Sequence, residues 1–140
     1  MDSVQINLYG VLLGGVASMV IGALYYADGV FGKQWKRLAR IDHQRFNKEM
    51  PLIMPGLFVA AFVTTFVVAY FSFLYRQFFN ATWMNSAVLT ALVLWFGVSA
   101  TSLFIHNSLE QKPSKLTYIA LGNRLLSMLA MGLIVGWLHP

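Results

Sequence analysis

The chain has 140 residues, of which 58% are hydrophobic and only 11% are charged. A soluble domain of that size needs more polar surface, so the composition points to one membrane domain, residues 1–140, with no room for a second, soluble one. The net charge is +5 and cysteine is absent, which excludes disulfides, thiolate metal sites and cysteine nucleophiles.

Four apolar segments follow one another: Val4–Tyr26, Leu52–Tyr75, Asn85–Ile105 and Leu116–Leu138. Each has the roughly 20 residues a helix needs to cross the hydrocarbon core of a bilayer. They predict an all-α, integral membrane four-transmembrane-helix bundle. The first segment has no base before it and no small-residue cleavage site after it, so it reads as a retained helix rather than a signal peptide. It repeats small residues every four positions, at Gly10, Gly14, Ser18 and Gly22. Four residues is just over one helical turn, so these residues form a groove that lets another backbone come close.

Between the first two segments, Phe31, Trp35, Leu38 and Ile41 recur at helical spacing among Lys33, Lys36, Arg37, Arg40, Arg45 and Lys48. This pattern predicts that Val30–Met50 forms an amphipathic helix, lying on the cytoplasmic surface with its bases toward anionic headgroups. Nucleic acid is not expected as a partner, since topology already accounts for these charges. Pro51 is expected in the first turn of the second span, where its missing N–H is harmless. Pro55 lies deeper and is expected to bend the helix. A second ribbon of small residues follows at Ala61, Thr65 and Ala69.

The next loop holds Arg76 as its one base, together with an Asn80-Ala81-Thr82 glycosylation pattern crowded against the membrane. In segment three, Trp95 falls at mid-membrane. His106 and Asn107 end that segment, and Glu110 follows one turn after His106. A His and a carboxylate at that spacing suit a proton relay or half a metal site. With no further ligand beside them, no metal, cofactor or catalytic residue is expected. Lys112 and Lys115 then lead into segment four, which carries small residues at Gly132 and Gly136. The ribbons on three helices predict a tight bundle, with intramolecular packing and contact with a second copy or a partner membrane protein as the two uses of the grooves.

Loops rich in Lys and Arg stay in the cytoplasm, and the N-terminus carries Asp2 and no base, so both termini are expected outside. Tyr9, Tyr70, Tyr75, Trp83 and Trp137 then fall at the outer interface, and Tyr25, Tyr26 and Tyr118 at the inner one.

Arg124 is the anomaly. It lies about eight positions into segment four, on the order of 10 Å from the inner end. A guanidinium there costs a few kcal/mol unless it snorkels or is paired. No carboxylate lies inside a span, so Asp28 and Glu110 at the inner edge are its expected partners, and Asn123, Tyr25 and Tyr26 could hydrogen-bond at similar depth. Arg124, Asn123, His106, Asn107, Glu110, Asp28, Tyr25 and Tyr26 together form the candidate polar site. Its two readings are an anion or headgroup site and a structurally tied, snorkelling Arg.

The run Tyr25-Tyr26-Ala27-Asp28-Gly29-Val30-Phe31-Gly32-Lys33-Gln34-Trp35 resembles the signature of a family of small bacterial membrane proteins, domain of unknown function 1761. That signature is an aromatic pair, Ser-Pro, two variable residues, Phe-Gly-Lys, one variable residue and Trp. Ala27 and Asp28 replace Ser-Pro here. Gly122, Leu125 and Gly132 look like the family's C-terminal element, with Asn123 where an aromatic is usual. The resemblance implies the architecture only and carries no activity; the location expected from the whole sequence is a bacterial cytoplasmic membrane. The function expected from all this is an accessory or assembly protein acting through helix contacts. The alternatives are an oligomeric transporter or channel with an anion-favouring site near Arg124, and an enzyme acting on lipid at the inner interface.

Overall fold

The computed structural model describes residues 3–140, so Asp2 lies outside the described residues. Its elements are α1 (Leu8–Tyr25), α2 (Gly32–Leu38), α3 (His43–Phe79), α4 (Trp83–Leu94), a π-helical segment (Trp95–Ala100), α5 (Thr101–Leu109) and α6 (Ser114–Trp137). The described residues contain no strand. Four helices are long and apolar enough to cross a membrane: α1, α3, α6, and the continuous run Trp83–Leu109. Large apolar side chains such as Leu52, Phe78 and Leu109 project outward, as expected where the surrounding solvent is hydrocarbon.

α1 and α4 each pack against both α3 and α6, and α3 meets α6 across the middle. Chain direction alternates through this ring. One end of the bundle holds the termini and the α3–α4 turn. The other, basic end holds the α1–α3 connection and the α5–α6 turn. Near the termini the core is made of Val11, Ala69, Ala87 and Val135, and below it of Val68, Ala91, Met128 and Met131. Small residues set the helix spacing. A Cβ on Gly14 would lie 2.6 Å from Thr65 Cγ2, one on Gly132 2.9 Å from the Ala87 carbonyl oxygen, and one on Gly136 3.0 Å from Met84 Cα. Gly10 faces Leu138, and Ser18 is buried and donates to the Gly15 carbonyl at 2.7 Å. Buried hydroxyls bond within their own helix, as with Thr65 to Ala61 O and Ser86 to Thr82 O, both 2.8 Å.

Local chemistry explains the helix ends. Asn7 caps α1, accepting from Tyr9 N and Gly10 N, and donates to the Leu138 carbonyl at 2.8 Å, which ties the start of α1 to the end of α6. Thr82 caps α4, and Asn80 ends α3 in the left-handed conformation, so both polar ends of the Asn80–Thr82 tripeptide close helices. Arg40 and Gln111 take the same conformation (φ 53° and 56°). Ile41 N bonds to Lys36 O and Lys112 N to Asn107 O, the six-to-one bond that closes a helix end.

Two expectations need correction. The Val30–Met50 stretch is not one helix. α2 stops at Leu38, and Asp42 caps a new helix by accepting from Gln44 N and Arg45 N. For the same reason Pro51 is not in a first turn, because α3 starts at His43 and Pro51 is its ninth residue. Pro51 and Pro55 leave the carbonyls four residues earlier, of Asn47 and Pro51, without helical donors. Gly15 faces Phe62, so α3 runs on past the end of α1, and α2 packs against that extension through Trp35 and Phe46, 5.9 Å apart.

Candidate functional site

Successive positions three or four apart share one face of α6: Thr117, Leu121, Arg124, Met128, Met131 and Val135. Thr117, Met128, Met131 and Val135 are buried, yet Arg124, in the middle of the same stripe, is exposed. The core is open at this level. None of residues 19–25, 51–64, 92–106 or 120–126 is buried, and every residue from Pro51 to Ala60 is exposed. α3 makes its contacts with α1, α4 and α6, and no substantial contact with α5 or the π segment. The basic-end half of α3 therefore stands off from α5. The space between them is a cleft with α6 as its floor.

Arg124 lies ten residues beyond Ser114, about 15 Å along the helix from its first residue. It takes part in no ion pair among the described residues. Arg124 and the neighbouring Asn123 both lie near the Tyr26 side chain. Asn123 turns toward α1. A Cβ on Gly22 would lie 4.0 Å from Asn123 Oδ1, which is buried without a hydrogen-bond partner among the described residues. Apolar residues continue the core stripes into the cleft: Met54, Phe58 and Ala61 on α3, and Leu94 and Trp95 on the opposite wall.

The remaining candidates sit elsewhere. Asp28 pairs with Lys36 at 3.2 Å, because the Tyr25–Trp35 turn folds α2 back under the end of α1. Glu110 is held by Lys112 at 2.7 Å and by His106 at 3.1 Å, on the exposed end of α5. The Lys112 contact, helped by the charge of His106, keeps the Glu110 carboxyl below its ordinary value. Asn107 is buried and donates to Thr117 Oγ1 at 3.1 Å, locking α5 to α6. Tyr25 donates to the Ile119 carbonyl at 2.8 Å. The fold thus gathers Arg124, Tyr26 and Asn123, makes struts of Tyr25 and Asn107, and commits both expected carboxylates to other bases.

The signature run is a compact turn. Tyr25 stacks on Phe31 at 4.7 Å and Tyr26 lies 4.8 Å from Trp35. Gly32 N bonds to Ala27 O at 3.0 Å, and any Cβ on Gly32 would collide with the Tyr26 carbonyl and lie 2.7 Å from Ala27 C. Only glycine fits there, and the turn holds Tyr26 against Trp35 at the end of α1.

Sequence reasoning missed three features. Trp95 packs between helices, and what was missed is its hydrogen bond: the indole N–H donates to the Leu121 carbonyl at 3.2 Å, one turn from Arg124. At the terminal end, Arg76 lies over Trp83 (4.9 Å), which stacks on His139 (5.7 Å). The third is the separation of α3 from α5. Among the described residues, no three His, Asp or Glu lie together as metal ligands.

The family described as protein of unknown function (DUF1761) matches residues 9–136, nearly the whole chain, and the chain belongs to it. No curated protein and no solved structure matches the chain.

Proposed function

We propose that this protein is an integral component of a bacterial cytoplasmic membrane, with both termini outside, and that it binds an anion in the cleft at Arg124. The orientation rests on Lys33, Lys36, Arg37, Arg40, Arg45, Lys48, Lys112 and Lys115 at one end against Arg76 at the other. α2 then lies at the cytoplasmic surface with its bases near anionic headgroups. One observation carries the binding reading: Arg124 occupies a core position on α6, is exposed there, and has no acidic partner among the described residues. A cation kept at that depth without a partner is a site for a negative charge brought from outside the fold.

Mass spectrometry of the protein purified in mild detergent tests this. Wild type should carry an anionic molecule that Arg124→Gln lacks. If the two preparations retain the same molecules, the site reading fails.

A second reading keeps the accessory or assembly role. Most of the small-residue ribbons are occupied inside the bundle, but Gly56 and Gly97 meet nothing within 4 Å and are open to a second copy or a partner helix. A dimer that Gly97→Leu dissociates, with no bound anion, would favour it.

A further inference from the structure

We infer that the anion is an amphiphile of the bilayer itself, a lipid with a singly charged phosphodiester or carboxylate head, and that it reaches Arg124 sideways between α3 and α5. The inference rests on the anion-site reading above.

Charge comes first. The cleft offers one uncommitted guanidinium, with no ion pair to Arg124 among the described residues. The other bases whose partners are near are already engaged, Lys36 by Asp28 and Lys112 by Glu110. One guanidinium matches a monoanion, which it binds through two parallel N–H donors. Free phosphate at neutral pH carries more charge than one guanidinium neutralises. It would also shed its water between the apolar walls at Met54, Phe58 and Leu94.

Shape agrees with charge. The walls that strip a soluble ion are those an acyl chain prefers, and Met54 and Phe58 of α3, on the stripe that continues from the core, stand exposed there. The gap between α3 and α5 faces the hydrocarbon, so a chain can enter without leaving the bilayer. A head held by Arg124 leaves its tail between α3 and the Leu94–Trp95 wall.

The experiment compares dioleoyl phosphatidylglycerol, dioleoyl phosphatidylcholine and inorganic phosphate as additions to the detergent-purified protein, read by native mass spectrometry and thermal midpoint. The expected result is about one tightly held phosphatidylglycerol per chain. Its affinity should fall at least about tenfold in Arg124→Gln, about 1.4 kcal/mol, and only partly in Arg124→Lys. Phosphatidylcholine and phosphate should have no such effect. Stabilisation by phosphate that Arg124→Gln abolishes, with no lipid effect, overturns the lipid inference and leaves the anion site standing. No anion separating wild type from Arg124→Gln removes both. Loss of lipid in Lys33→Gln/Arg37→Gln, but not in Arg124→Gln, places the headgroup on the basic surface and overturns the inference. Should Arg124→Gln not fold, chain-brominated phosphatidylglycerol must quench the emission that Trp95→Phe removes more strongly than brominated phosphatidylcholine does. Equal quenching overturns the inference.

Discussion

Tyr25 reaches across from the last turn of α1 to α6 and sets its hydroxyl over Gly122, 2.8 Å from the Ile119 carbonyl. A Cβ at position 122 would lie 2.5 Å from that hydroxyl oxygen. Gly122→Ala should therefore destabilise the protein by about 1–3 kcal/mol, as overpacking does. Tyr25→Phe alone should cost about 0.5–1.5 kcal/mol for the lost hydrogen bond. In the Gly122→Ala background, Tyr25→Phe should cost less than that or raise stability, because the clashing oxygen is gone. A double-mutant cycle on thermal midpoints in detergent measures the coupling; simple additivity would mean that the contact is not made.

The α1–α3 contact makes a similar pair. A Cβ on Gly14 meets Thr65 Cγ2 at 2.6 Å and Met131 Cα at 3.6 Å. Gly14→Ala should cost about 1–3 kcal/mol, and Gly14→Leu should prevent assembly of the bundle. Thr65→Ser removes the offending methyl while keeping the hydroxyl that bonds to Ala61 O, so it should restore part of the Gly14→Ala loss. Monodispersity and midpoint on gel filtration and heating report both outcomes.

At the basic end, Gln111 holds a left-handed conformation, φ 56°, between α5 and α6. Glycine takes that conformation without the steric cost a side chain bears, about 1 kcal/mol. Gln111→Gly should raise the thermal midpoint. Gln111→Val, branched at Cβ, should lower it.

Acidification should act through Glu110. Lys112 and His106 hold its folded carboxyl below the ordinary value. The interaction thus contributes stability above the ordinary glutamate range and loses it as pH falls through the folded value. The contribution is small, because the pair is exposed. Midpoints recorded from neutral to acid pH should fall less steeply in Glu110→Gln than in wild type, and the two should differ most at neutral pH.

Topology is tested with reporter fusions. A reporter at Gln44, in the capped first turn of α3, and one at the C-terminus should report opposite sides of the membrane, with Gln44 cytoplasmic. Two cytoplasmic signals would mean that one of the four spans does not cross.

Features that depend on composition and short-range spacing were legible before any coordinates. Four apolar runs of sufficient length make four helices, because in hydrocarbon a backbone must satisfy its own polar groups. Gly14, Gly132 and Gly136 stood out in sequence as places of close approach, since a missing side chain is visible without coordinates. Helix ends were less legible. The ends at Arg40 and Gln111 lack the glycine that marks such turns, and the run from Asp42 through Pro51 gave no sign that the helix continues across a proline. Tertiary structure alone decided the partners of charge. Asp28 and Glu110 were the nearest carboxylates to Arg124 by depth, but depth is one coordinate, and an ion pair requires all three. The turn held by Gly32 brings Lys36 to Asp28, and the close of α5 brings Lys112 to Glu110. Arg124 lies on the core stripe of a helix whose neighbour, α3, departs at that level, and the path of one helix relative to another is set by contacts far along both.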